Sequence, residues 1–343
     1  MTDARIPVFL LTGFLGSGKT TLLNALLPHY PDSALVINEL GDIGIDDQLI
    51  EDQSVPLTLL AGGCICCTVR GNLNSTLRNL WMSRRAGSVA AFSRLIVETT
   101  GAADPWGLIE TLTRDSFLRR HYRFAAVLTT VDASRAAAGL RQFPEVIEQV
   151  LVADTLLMTR ADQVEAQALA GFHMELAALN PAARIDAVQP GHLPGQLLDD
   201  TAQARCRVTG LAALAKFSVA AVSPDSAPVL KPAVVSRHSN IQSASLRLQA
   251  PLERRNLMRA LEQLLGENAR YLLRFKGLFQ LKDEPRPLLV QAVAQGMDEP
   301  RNLQAWPDDD HDSRMVLIVD HPDADFPAKV LARLERLVVR AQT

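Results

Sequence analysis

The chain has 343 residues, 48% of them hydrophobic, enough for one large or two moderate domains with real cores. Its formal net charge of −3, with no basic block, argues against a nucleic-acid surface, and no segment reaches the roughly 18 uninterrupted apolar residues of a membrane span. The first residues carry no signal-cleavage pattern, so the chain is expected to be cytoplasmic and its four cysteines reduced rather than paired in disulfides.

The first predicted element is a strand over residues 6–11, IPVFLL, an apolar run of the kind buried on both faces. It leads directly into GFLGSGKT, Gly13 to Thr20, and then into a helical repeat at Leu22, Leu23, Leu26 and Leu27. Strand, glycine loop and helix thus arrive in the order of a phosphate loop. Gly13, Gly16 and Gly18 let the backbone wrap phosphates at the positive end of the helix, with Ser17 and Thr21 in the same nucleotide-contacting run. Lys19 is placed to reach the β- and γ-phosphates and the Thr20 hydroxyl to bind Mg²⁺. Only six of the 35 basic residues are lysines, so a lysine at this position is not incidental.

A strand is expected near 34–38, followed by INELGDIGID, and another near 57–60, followed by GGCICCT. Three of the four cysteines, Cys64, Cys66 and Cys67, therefore fall together, in what reads as a loop bounded by glycines. Thiolates suit Zn²⁺, Cu⁺ or Fe, and thiol clusters in reducing compartments are usually metal sites. In an extended segment Cys64 and Cys66 point to one side and Cys67 away from it, unless the chain bends. The set falls short of the four ligands of a closed zinc site, as a metal held and then surrendered requires. Glu39 and Asp42 are the nearest candidates to complete it, with a solvated turn as their plain alternative. Cys206 reads as a small buried side chain. His192 and His311 are loop histidines not assigned as ligands, and Asp308 to Asp312 read as a solvated acidic loop.

The next strand, near 94–98, ends at Glu98 with Gly101 three residues on, a Glu-x-x-Gly spacing that makes Glu98 the candidate for the Mg²⁺ shell or for orienting an attacking water. Strands near 123–131 and 155–159 follow, and the second runs into Thr159, Arg160, Ala161 and Asp162. These stand where GTPases carry Asn-Lys-x-Asp, whose carboxylate accepts two hydrogen bonds from guanine. Threonine keeps a hydroxyl and arginine a cation able to lie over the base. No arginine finger is evident beside these motifs. After a strand near 184–188, the segment 201–235, rich in Ala, Ser and Pro, reads as a connector. The remainder, 236–343, alternates as strand 244–249, helix 251–265, strands near 271–281, 287–295 and 314–320, and helix 325–339. The expected fold is an α/β phosphate-loop NTPase domain over 1–200, with a mostly parallel sheet, and a smaller C-terminal α+β domain, an antiparallel sheet with two helices on one face.

Taken in order, GFLGSGKTTLLN, INELGDIGIDDQLI, GGCICCT, ETTGAADP, TVDA and YLLRFKGLFQ resemble the CobW-like GTPases, relatives of the maturation GTPases of nickel and cobalamin enzymes, over nearly the whole chain. The RFKG arrangement looks most like the zinc-related metallochaperone branch. The resemblance implies GTP, Mg²⁺ and a thiophilic metal as ligands, a client metalloprotein as partner, and Asp46 as the first-switch contact to Mg²⁺ or its waters. It also allows a homo-oligomer. Two departures stand out: Thr159-Arg160 replaces Asn-Lys, and a histidine-rich metal-gathering tract is absent. The reading is a GTP-hydrolysing metallochaperone, most simply for zinc. Its rivals are a small-molecule kinase on the same phosphate loop and a metal buffer with a vestigial nucleotide site.

Overall fold

The computed structural model describes residues 5–38, 57–59, 65–69, 73–101, 105–135, 144–189, 193, 197–198, 240–293, 296–297, 299–307 and 309–340. They form two compact units. No helix among them is long and apolar enough to cross a membrane.

The first unit is built on an eight-stranded sheet: β1 (Ile6–Gly13), β2 (Ser33–Asn38), β3 (Leu57–Leu59), β4 (Ile65–Val69), β5 (Arg94–Thr99), β6 (Tyr122–Asp132), β7 (Thr155–Thr159) and β8 (Arg184–Ala187). The strand order is β3-β4-β2-β5-β1-β6-β7-β8. All pairings are parallel except the edge pair β3–β4, so the sheet is mostly parallel, as the alternation of strands and helices predicts. β1 lies between β5 and β6, with Leu11 opposite Glu98 and Gly13 opposite Thr130. The carboxyl ends of β1, β2, β5, β6 and β7 therefore lie at one end of the sheet, where open α/β sheets bind ligands, whereas β3, which precedes GGCICCT, runs the other way and ends at the opposite end.

Helix α1 (Lys19–Leu26) starts at that end and runs back along the sheet. Leu22, Leu23, Leu26 and Leu27, read from the sequence as its apolar repeat, are all buried with Phe9, Leu11 and Ile96 in one core cluster. Burying each such leucine is worth roughly 1.5–3 kcal/mol, which fixes the helix start against β1. The further helices of this unit are α2 (Leu73–Arg85), α3 (Pro105–Arg114), α4 (Ser116–His121), α5 (Pro144–Val152) and α6 (Ala166–Leu179).

One element was not anticipated. The stretch Ile65–Val69, expected as a loop, is strand β4, paired in parallel with β2 and antiparallel with β3. Ile65, Thr68 and Val69 are β-branched and favour a pleated backbone, a preference that the flanking glycines hide when the stretch is read as a turn.

The second unit holds β9 (Ile241–Leu248), helix α7 (Arg254–Glu267), β10 (Leu272–Leu281), β11 (Glu284–Val293), β12 (Gly296–Met297), β13 (Arg301–Asn302), β14 (Ser313–Asp320) and helix α8 (Phe326–Arg340). Its sheet is antiparallel, ordered β12-β11-β10-β14-β9, with β13 on β11. Leu257, Leu261 and Leu264 of α7 and Leu331, Leu334 and Val338 of α8 share one core with Phe275, Phe279 and Leu317 of the sheet. The acidic stretch read as a solvated loop is engaged rather than free: Asp310 and Asp312 pair with Arg247, at 2.6 and 2.9 Å. His311 stacks on Trp306, with ring centroids 5.0 Å apart.

Candidate functional site

At the end of β1 the chain reverses into α1 through a loop whose backbone favours glycine at three positions. Gly13, Gly16 and Gly18 have φ of 141°, 75° and 92°, where a side chain is penalised. At Gly13 a Cβ would also fall 2.3 Å from the Thr130 hydroxyl oxygen and 2.5 Å from the Thr130 carbonyl oxygen. Lys19 folds back over this loop, its Nζ donating to the carbonyls of Gly13 at 2.7 Å and Phe14 at 3.3 Å. Burial lowers its pKa from the ordinary lysine value, and the neighbouring Glu98 carboxylate opposes that shift.

The Thr20 hydroxyl donates to Glu98 Oε1 at 2.9 Å. Glu98, at the end of β5, is only 5% exposed. A buried carboxylate and a hydroxyl facing each other beside a phosphate loop are hard oxygen donors of the kind Mg²⁺ prefers, so the residues fit that ion.

The walls are threonines and serines. Ser17 and Thr130 share a hydrogen bond at 2.7 Å, and Thr99 donates to Thr12 at 2.9 Å. Thr159, in the place of asparagine, donates from its hydroxyl to the Ser17 carbonyl at 2.8 Å, tying the base-motif strand β7 to the phosphate loop. Arg160 is the only non-glycine described residue with positive φ, 52°. Its guanidinium forms an ion pair with the largely buried Asp132 at the end of β6. Asp162 lies exposed in the short 3₁₀ turn Ala161–Gln163. Thr21 is exposed on the first turn of α1.

Gly101, three residues beyond Glu98, abuts the phosphate loop itself: a Cβ there would lie 2.4 Å from the Leu15 amide nitrogen. Sequence reasoning attached no role to four residues that the structure brings here. Thr130 and Asp132 belong to the TVDA stretch and were legible as a motif without a function. Arg135 supplies a guanidinium beside the loop, 3.8 Å from Asp132 and with Nη1 4.0 Å from where a Cβ on Gly16 would be. Gln149, on α5, carries no sequence signal at all.

Of the metal candidates, Cys66 and Cys67 occupy successive positions of β4, opposite Leu35 and Val36 of β2. Cys64, Glu39, Asp42 and the switch candidate Asp46 lie outside the described residues, as do His192 and Cys206. Among the described residues no group of three or more His, Cys, Asp or Glu side chains is arranged to hold a metal ion.

A phosphate loop at the carboxyl end of a central parallel strand, with a lysine, a threonine and a buried acid converging on it, defines a P-loop nucleotide-binding protein. The chain belongs to the CobW/HypB/UreG family. That family's nucleotide-binding domain matches residues 7–186, and the CobW C-terminal domain matches residues 241–338. It is 34% identical over 331 residues to the zinc chaperone YjiA of Escherichia coli, covering 94% of this chain and 97% of that one. With the zinc chaperone CobW of Pseudomonas aeruginosa it shares 30% identity over 360 residues, covering 92% and 88% of the two chains. Among solved structures, the Zn(II)-bound YjiA GTPase from E. coli matches with a TM-score of 0.66 and 30% identity, over 97% of this chain and 99% of that one.

Proposed function

We propose that this protein is a GTP-hydrolysing metallochaperone that holds a transition metal, zinc, at Cys64, Cys66 and Cys67 and passes it to a client protein under control of the bound nucleotide. One observation carries the reading. β2 pairs on one side with β4 and on the other with β5, so Val36 stands opposite both Cys67 and Val97, and Ile37 opposite both Thr68 and Glu98. The thiol-bearing strand and the acid of the phosphate site thus lie two strands apart at one level of the sheet, roughly 10 Å across. Relatives named as zinc chaperones and as a zinc-regulated GTPase metalloprotein activator support the same reading.

In this account the loop amides and Lys19 hold the β- and γ-phosphates. Thr20, with Glu98 and Asp46 in or near the shell, would hold Mg²⁺, which would supply positive charge against the phosphates. Water attacks the γ-phosphorus while the bond to the β-phosphate oxygen breaks, Glu98 being placed to orient it. Lys19 balances the charge that grows on the leaving oxygen. Gly101 presents its amide to the γ-phosphate, and Thr159, Arg160 and Asp162 select guanine. The proposed division is a GTPase domain over 1–200, a connector over 201–235 and a C-terminal domain over 236–343. Glu39 and Asp42 are proposed to complete the zinc shell, and the site of action is the cytoplasm.

The test is Lys19→Ala. It should abolish GTP turnover while leaving zinc binding, measured by competition with a chromophoric chelator, unchanged. ATP bound tighter than GTP by the wild type would favour a kinase instead, and zinc binding without any GTP turnover a passive buffer.

A further inference from the structure

Gln149 is a polar side chain on α5 that the proposed chemistry does not use, yet it is buried to 1% exposure. Its Nε2 donates to the carbonyl of Gly101 at 3.0 Å. Its Oε1 is buried with no hydrogen-bond partner among the described residues. The amide orientation follows from these contacts, since rotating it by half a turn would set two acceptor oxygens against each other.

That bond reaches the backbone of a glycine that packs closely against the phosphate loop. On one side Gly101 is pressed against the phosphate loop, where a Cβ would fall 2.4 Å from the Leu15 amide nitrogen. On the other its carbonyl is held by Gln149. Residue 149 is itself fixed, because its own carbonyl accepts from the Thr129 hydroxyl on β6 at 2.9 Å. Sheet, helix α5 and the residue after the Glu98 strand are thereby joined by two hydrogen bonds, and α5 runs on into β7, which carries the base motif.

We infer that Gln149 is a positioning residue for the γ-phosphate sensor: by holding the Gly101 carbonyl it fixes the peptide on the carboxyl side of Gly101, and so restricts the rotation of the glycine whose N–H, on the preceding peptide, meets the phosphate. The protein thereby distinguishes GTP from GDP through a residue that touches neither nucleotide. The inference rests on the reading of Gly101 as a γ-phosphate contact. GDP lacks that phosphate, so its affinity is insensitive to Gly101 and reports only whether the loop and fold are intact.

The experiment measures affinity for GDP and for a non-hydrolysable GTP analogue, with GTP turnover, in the full-length wild type, Gln149→Met and Gln149→Glu. Methionine keeps the length and flexibility of the side chain and removes the donor; glutamate keeps the shape and puts an acceptor in its place. Both variants should hold GDP affinity within about two-fold. Both should lose about five- to ten-fold in analogue affinity, the loss of one hydrogen bond, with kcat falling at least as far. Equal losses for both nucleotides, including those of a variant that folds poorly, would make Gln149 merely structural and overturn the inference, as would unchanged discrimination. If the wild type itself bound analogue and GDP equally, the reading of Gly101 would fail first.

Discussion

At the residue scale the proposed base site, Thr159, Arg160 and Asp162, is what would set GTP apart from its competitors. Asp162 is exposed in the 3₁₀ turn that follows β7; in the proposed base site its carboxylate accepts both donors of a guanine edge, whereas an amide oxygen accepts one well. Asp162→Asn should therefore weaken GTP binding by about 1.5–3 kcal/mol, a factor of roughly ten to over a hundred, and relax discrimination against other purine triphosphates. A nucleotide titration that found selectivity unchanged would move the base site elsewhere. Thr159 makes a different contribution. Its hydroxyl donates to the Ser17 carbonyl, so threonine in the place of asparagine still supplies a donor to the phosphate loop. Thr159→Val, which keeps the shape and removes the donor, should weaken GTP and GDP alike by about 0.5–1.5 kcal/mol, with no change in base preference. These residues were legible in the sequence because glycine spacing, lysine and threonine act locally. Asp132 was legible only as part of a motif without a function and Gln149 not at all, because their partners lie 28 and 48 positions away.

At the scale of elements, one acid joins helices α2 and α4. Asp115 caps α4 by accepting from the Leu118 amide at 2.9 Å. It also accepts from Asn74 at 2.7 Å and Arg78 at 2.8 Å, both on α2. Burial alone raises its pKa, but these donors outweigh burial and bring it from the usual carboxylate value to about 2. Because the folded pKa lies below the unfolded one, the stabilisation is complete above pH 4 and is lost as pH falls from there through about 2. Asp115→Ala should cost about 1–2 kcal/mol near neutrality, in the range of a lost helix cap. In chemical denaturation the stabilities of wild type and variant should converge toward pH 2; a gap that persisted there would assign the cost to packing instead. Most elements, the C-terminal sheet and its two helices included, follow hydrophobic period and could be read from it. β4 could not, because the glycines at Gly62 and Gly63 signal a turn while the strand is imposed by hydrogen bonding to β2 and β3 on either side.

Across the whole molecule, the account joins a metal segment to a nucleotide switch through the sheet. The order β4-β2-β5 places the thiol strand and Glu98 on opposite sides of β2, and β2 runs directly into the stretch that holds Glu39, Asp42 and Asp46. That layout was out of reach of sequence reasoning, which placed the motifs in order along the chain but not the order of strands in the sheet. On the proposed function a change at the γ-phosphate has a short route to the cysteines, and coupling between the two sites would be reciprocal: zinc would alter GTP affinity by the factor by which GTP alters zinc affinity. The most direct measurement is zinc affinity by competition with a chromophoric chelator, at fixed pH because thiolate ligation releases protons. It is made on the protein loaded with GDP or with a non-hydrolysable GTP analogue, in wild type and in Cys66→Ser. The account predicts a difference of roughly 5- to 150-fold between the two nucleotide states of the wild type, the range of a typical coupling of about 1–3 kcal/mol. In Cys66→Ser zinc should bind weakly, GDP and analogue should bind as in the metal-free wild type, and zinc should no longer alter nucleotide affinity. Equal zinc affinity in the two nucleotide states of the wild type would contradict the account and leave the cysteines a passive metal site.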